Sequence, residues 1–241
     1  MKEMNLPNNV KKVIDEFVKN LDSVYGDNLI SVMLYGSAAS GEYTLKHSNV
    51  NMMIILKDTS LDNLAKISQF INKRKFMVIN PVFFTEDYIK CSTDTFPIEF
   101  MDMKENHIVL KGKDVLKDIN IDIRNLRFQC EQELKSKIIN IKRLYLRTTN
   151  TTLLRKLLFK SVSSSAHILR NLVRLKGKEP SYKKEEVLNQ VAQEFGINTA
   201  PLQNILDARN KNLKLSRPEI ENLFISLIET LETASDKVDH L

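Results

Sequence analysis

Near residue 120 the chain changes its periodicity, and that change limits what it can fold into more than any other feature. Upstream, short apolar runs alternate with amphipathic stretches. "NVKKVIDEFVKNLDSVYG" sets Val10, Val13, Ile14, Phe17, Val18 and Leu21 at helical spacing and stops at Gly26. "LISVMLY" (29–35) and "NMMIIL" (51–56) are short, mostly apolar and bounded by turn residues, which predicts strands covered on both faces. "SLDNLAKISQFINKRK" (60–75) reads as a helix capped by Ser60. "FMVINPVFFT" (76–85) reads as a third strand, with Pro81 placing it at an edge or bulge. "FPIEFMDMK" (96–104) alternates like a fourth strand, and "HIVLKGKDVL" adds a short strand, a turn at Gly112 and a helical stub. Downstream, segments 122–147, 152–176, 183–196, 201–214 and 217–238 all carry the 3.6-residue apolar period, with Pro180, Gly196, Pro201 and Pro218 between them or at their starts. An α/β domain over 1–119 followed by an all-α bundle of four or five helices over 120–241 is therefore expected.

Charge follows the same division. The net charge is +6, but residues 1–120 hold 15 Lys/Arg and 16 Asp/Glu, against 21 and 14 in 121–241. From Lys135 to Lys184 there are 14 basic residues and one acid, Glu179. A field of that sign favours polyanions, so a nucleic acid or acidic partner of residues 135–184 is one expectation, although only Tyr145, Phe159 and Tyr182 interleave it for base stacking. No apolar run approaches the roughly 18 residues of a membrane span, and the opening "MKEMNLPNNVKK" lacks the apolar stretch of a secretory signal. A cytoplasmic protein with no membrane partner is expected. Cys91 and Cys130 lie far apart, without metal-ligand spacing, and read as reduced thiols. A homodimer through the bundle is compatible with its amphipathic helices.

The segment that carries chemistry is "LYGSAASGEYTLKHSNVNMMIIL" (34–56). A strand ending in Gly36-Ser37 lets backbone N–H groups and a hydroxyl point at a phosphate, because Gly36 has no Cβ to hold the ligand away. About a dozen residues later Ser48-Asn49-Val50-Asn51 leads into the next apolar strand, with both amides on one face by alternation. This layout resembles the signature of the polymerase-β-like nucleotidyltransferases, in which Gly-Ser follows the first strand and a Ser-Asp-hydrophobic-Asp unit opens the next. The likeness extends through "FPIEFMDMKENHIVLKGKDVL" (96–116), which is similar to a segment of bacterial members that join this domain to a helical bundle, as aminoglycoside nucleotidyltransferases do.

The resemblance implies an α+β fold, with a mixed β-sheet and flanking helices before the bundle, and a nucleotide or phosphate site at Gly36, Ser37, Ser48, Asn49 and Asn51. It also implies a test that this chain fails. In the family the paired aspartates hold Mg²⁺, which bridges the triphosphate while a hydroxyl displaces pyrophosphate, and a third carboxylate on a neighbouring strand activates that hydroxyl. Here the metal positions read Asn49 and Asn51. Amides offer neutral carbonyl oxygens, to which strongly hydrated Mg²⁺ yields its water reluctantly, and they supply no general base. Segment 76–85 contains no acid, and the family's arginine after the Gly-Ser turn has no counterpart, since Ser40 precedes Gly41. Glu99 and Asp102 are the substitute catalytic candidates; as strand residues three apart they would point to opposite faces.

The leading expectation is a nucleotidyltransferase-like protein whose transfer chemistry is lost or severely weakened, with no metal, kept as a nucleotide-, phosphate- or partner-binding module. Two alternatives stay open. One is an active Mg²⁺-dependent enzyme moving NMP from NTP to a hydroxyl acceptor; the other is a regulatory nucleic-acid-binding protein acting through the bundle. His47 reads as a loop histidine. His167 in "SVSSSAH", with Ser163 and Ser164 one turn earlier, reads as a small-residue helix contact, since no orienting carboxylate accompanies it. Neither Arg170-Asn171 nor Arg209-Asn210 is followed by the histidine that a ribonuclease motif would need.

Overall fold

The computed structural model describes residues 6–41, 43 and 49–241. They form two compact units that divide after Asp122.

In the first unit, α1 (Asn8–Tyr25) buries Val10, Ile14, Phe17, Leu21 and Tyr25, one residue per turn. It ends at Gly26, whose positive φ of 48° disfavours a side chain there and whose N–H bonds the Asp22 carbonyl. A 3-10 turn (Gly26–Asn28) leads to β1 (Leu29–Tyr35), a single turn of helix α2 (Ser37–Ser40) and β2 (Val50–Leu56). Next come α3 (Leu61–Ile71), β3 (Ile79–Phe84), α4 (Glu86–Ser92), α5 (Pro97–Glu105) and β4 (His107–Gly112). The four strands lie in the order β3-β2-β1-β4. β1 is antiparallel to both neighbours, whereas β3 runs parallel to β2, so the sheet is mixed. β3 bonds only to β2, which places Pro81 on an edge strand, where its missing N–H costs no ladder bond.

Side chains of β2 alternate between two cores. Val50, Met52, Ile54 and Leu56 pack with Ile14, Phe17, Leu21, Ile67 and Phe76 from the α1 and α3 side. Met53 and Ile55 pack with Ile89, Phe100, Leu116 and Ile119 on the opposite face.

Three local expectations are overturned. Segment 96–104 is not a strand but α5: Pro97 sits in its first turn, where the fixed φ suits a helix, and Phe100 and Met103, one turn apart, pack on the sheet. The helical stub after Gly112 does not form; the Asp114 carboxylate accepts the N–H groups of Leu116 and Lys117, and this turn folds Leu116 and Ile119 into the core. Ser60 precedes α3, but its hydroxyl donates to Asp58 Oδ2 at 2.9 Å instead of capping the helix. α4 was not expected; Thr85 caps it, accepting the Tyr88 N–H at 3.1 Å.

The second unit is five helices: α6 (Ile123–Arg147), α7 (Thr151–Leu175), α8 (Lys184–Phe195), α9 (Ala200–Asn210) and α10 (Arg217–Asp239). Leu126, Leu134 and Ile141 of α6, Leu158, Val162 and Leu169 of α7, and Phe224, Leu227 and Leu231 of α10 are buried. Asn150 caps α7 through the Leu153 N–H, and Ser216 with Glu219 closes a reciprocal capping box on α10. Among the described residues no helix is long and apolar enough to cross a membrane.

Candidate functional site

The strand register draws the site residues into one row. Asn51 pairs with Tyr35 on β1 and with Asn80 on β3, and Tyr35 pairs with His107 on β4. One end of the sheet therefore carries Asn80, Asn51, Tyr35 and His107 across all four strands. The next row on the same face is Val82, Met53, Met33 and Val109, which is core. The polar residues of this face thus sit at the strand ends, where the apolar interior stops.

Gly36 closes β1 beside this row. Its φ of 68° and ψ of −145° lie where L side chains are strained, and a Cβ there would meet Asn51 Nδ2 at 3.1 Å. The absent side chain lets the Asn51 amide lie against the turn. Ser37 begins α2 directly after it, half-buried. Asn49 is exposed immediately before β2. Ser48 and His47 lie outside the described residues.

Asn80 is the residue that sequence reasoning missed. Its Nδ2 donates to Asn51 Oδ1 at 3.1 Å, joining the two strands' amides. The family's pattern has a third carboxylate on a neighbouring strand, and β3 presents a third amide opposite Asn51. An amide directly before Pro81 in an otherwise apolar strand was the available signal. Burial holds the Tyr35 phenol above the ordinary tyrosine range. His107 is fixed by its neighbours: Nδ1 lies 3.0 Å from the Met103 carbonyl and 3.1 Å from that of Lys104, and Nε2 lies 3.1 Å from Asp114 Oδ2.

The expected opposition of Glu99 and Asp102 is also overturned. On helix α5 residues three apart lie on one side, about 60° from each other. Glu99 is exposed and Asp102 half-buried, on the helix whose Phe100 and Met103 cover the face that carries the amides.

The fold family's metal finds poor ligands here. Asn51 Oδ1 already accepts from Asn80, and the Asn51 nitrogen is the atom turned to Gly36. Hard divalent cations take oxygen ligands, carboxylates above all, and an N–H₂ group cannot serve. Among the described residues no three His, Cys, Asp or Glu side chains gather into a metal-holding group.

In the bundle, the hydroxyls one turn before His167 are given to backbone carbonyls. The Ser163 hydroxyl donates to the Phe159 carbonyl, and the Ser164 hydroxyl to the carbonyls of Lys160 and Ser161. The basic stretch is partly neutralised in space by acids that lie outside it in sequence: Lys135 pairs with Glu131, Lys142 with Glu232 and Lys183 with Glu186. Arg174 is buried and donates to Asn171, while Arg170 lies over the Tyr182 ring, 4.4 Å from its centroid. Burial and the charge of Lys160 lower the pKa of Lys137.

The sequence matches no protein-family model and no curated protein. Among solved structures it is similar to a spectinomycin adenyltransferase, AAD(9) from Enterococcus faecialis, solved with ATP and spectinomycin. Identity is 13%, the match covers 92% of this chain and 99% of that one, and the TM-score is 0.60. With its mixed four-stranded sheet followed by a helical bundle, the chain has the nucleotidyltransferase fold of that enzyme.

Proposed function

We propose that this chain is a nucleotidyltransferase-fold protein that has lost transfer chemistry and works as a nucleotide- or phosphate-binding module. The observation that carries the reading is the amide pair Asn51–Asn80, with Asn49 two residues before it, at positions where the family's reaction needs carboxylates. Phosphoryl chemistry on this fold depends on a metal to neutralise charge and on a base to take the hydroxyl proton, and amides supply neither. Gly36 and Ser37, which the resemblance implies contact phosphate, stand at the end of β1 beside the amides. The structural neighbour was solved with ATP, which makes a nucleoside triphosphate the first ligand to try.

The test is a thermal-shift titration with each NTP, with and without Mg²⁺, beside a pyrophosphate-release assay over a panel of hydroxyl acceptors that includes spectinomycin. A ligand that binds only the folded state raises its melting temperature by mass action, so binding is read without knowing the acceptor. The expected result is a shift with no pyrophosphate release. No shift with any nucleotide would remove the reading.

A second reading has one observation in its favour. Glu99 and Asp102 share one side of α5, the helix that packs through Phe100 and Met103 on the face of the sheet that carries the amides. An active Mg²⁺-dependent transferase using them requires metal-dependent pyrophosphate release that falls with Glu99→Gln or Asp102→Asn.

A further inference from the structure

Replacing acids by amides does more than weaken a metal site. A carboxylate offers acceptors only, whereas an amide offers two N–H donors and one acceptor, and a neighbour decides which end it presents. Here that neighbour is Asn80. Its donated hydrogen bond engages Asn51 Oδ1, and the Asn51 N–H₂ group is the end that lies against Gly36. Where a transferase turns oxygens toward a cation, this chain turns hydrogens. Asn80 retains a second N–H beyond the one given to Asn51, and Asn49 adds a further exposed amide. The aromatic member of the row, Tyr35, is an uncharged phenol whose pKa burial raises further, so it adds no charge of its own beside the amides. A carboxylate bound to the row, that of Asp114, is paired with His107 at its far end.

The partner for such a set is an anion, and the state of that anion matters. Oxygens of a magnesium-complexed triphosphate are engaged by the cation, and the complex presents a hydrated metal that calls for acceptors, above all carboxylates. The same triphosphate without magnesium presents bare, fully charged oxygens, for which N–H donors are the complement, and hydrogen bonds to charged acceptors are stronger than neutral ones. Three carboxylates at these positions would repel that anion; three amides do not.

We infer that Asn51 and Asn80, with Asn49 two residues before Asn51, make a site of inverted polarity, which binds the polyphosphate of a nucleotide as the metal-free anion in preference to its magnesium complex. The inference rests on the nucleotide-binding reading above and makes it sharper: magnesium is not merely dispensable but competes with the protein for the same phosphate oxygens. A site of this kind responds to the balance between free and complexed nucleotide, a quantity that a transferase of the same fold does not read.

The experiment is calorimetric titration of the whole chain with ATP, once in EDTA and once in excess MgCl₂ at matched ionic strength, repeated with inorganic triphosphate and with adenosine. The expected result is binding of ATP and triphosphate about tenfold or more tighter in EDTA, with adenosine weak in both, each tenfold being one step of 1.4 kcal/mol. The Asn51→Asp/Asn80→Asp variant is expected to reverse the preference, binding poorly in EDTA and gaining affinity with magnesium. If ATP binds the unaltered chain equally well or better with magnesium, the inversion is wrong while the nucleotide-binding reading stands. If no nucleotide binds in either buffer, that reading fails and the inference with it. If the unaltered chain prefers metal-free ATP but the variant keeps that preference, the anion sits elsewhere, on the bundle's basic residues, and the assignment to the amide row is overturned. The unaltered chain alone decides the magnesium preference, so a variant that fails to fold does not protect the proposal.

Discussion

The two faces of β2 differ in one residue, and the difference separates stability from function. On one side Val50, Met52, Ile54 and Leu56 run without a polar interruption and are fully buried with α1 and α3 residues. On the other, Met53 and Ile55 are as deeply buried, but the face begins with Asn51, bonded to Asn80. A strand covered on both faces has little room for a polar side chain in its middle, because a buried amide without partners costs more than its hydrogen bonds return. Its ends are where polar groups find both a partner and a ligand. The first face therefore holds the sheet to its helices, and the second gives up burial at one position, where the proposed site lies.

The sharpest way to separate the two is to injure the apolar face alone. Phe17 is fully buried and its ring lies 5.2 Å from that of Phe76, tilted by 60°. Phe17→Ala is expected to destabilise the first unit by about 3–5 kcal/mol, from lost transfer free energy and the cavity left behind. Urea denaturation measures it. Nucleotide affinity of the fraction that remains folded should not change, and a parallel loss of affinity would break the division between the faces.

Gly36→Ala attacks the opposite side. The backbone conformation at Gly36 is strained for any L residue, and the new methyl would meet the Asn51 amide. A destabilisation of about 1–3 kcal/mol is expected from the strain. Nucleotide binding should fall by more than stability does, since the methyl displaces the donor that faces the site; a stability loss with intact binding would place the ligand away from the turn.

What could be read from the sequence follows how local each signal is. The bundle was legible because its helices are long and their ends are marked: Pro201 and Pro218 fall in the first turns of α9 and α10, and Gly196 ends α8 in the left-handed conformation. Segment 96–104 was misread because both periods fit it. Ile98 and Phe100 alternate as a strand would, while Phe100 and Met103 lie one helical turn apart, and the decision belongs to the core they pack against. Gly36, Asn49 and Asn51 could be picked out by spacing within one short segment. Asn80 stands out only as an amide before Pro81 in an apolar strand; its link to Asn51 is not legible, because the partner lies 29 residues away and only the parallel register of β2 and β3 brings them together.

A smaller effect is expected at Thr85, whose side chain caps α4 on the face shared with the site. Thr85→Ala should cost about 1 kcal/mol, the usual value of a lost N-cap, read as a lowered melting temperature. Because α4 contributes Ile89 to that core but no residue to the amide row, affinity should hold. A binding defect would mean that the seating of α4 is part of the site.

The smallest effect is the most informative about the row itself. The hydrogen bond from Asn80 to Asn51 is solvent-exposed, so it stabilises the fold little; a double-mutant cycle with Asn51→Ala and Asn80→Ala should return a coupling of about 0.5 kcal/mol in unfolding free energy. The same cycle run on nucleotide affinity is expected to show larger coupling, because Asn80 acts on the ligand partly by fixing which end of the Asn51 amide is presented. Removing Asn80 frees Asn51 to turn its oxygen toward the phosphate, and the second deletion then costs less than it does in the intact chain. If the two deletions are additive in binding while coupled in stability, Asn80 is only a strand-end contact, and the orientation of Asn51 is set by Gly36 alone.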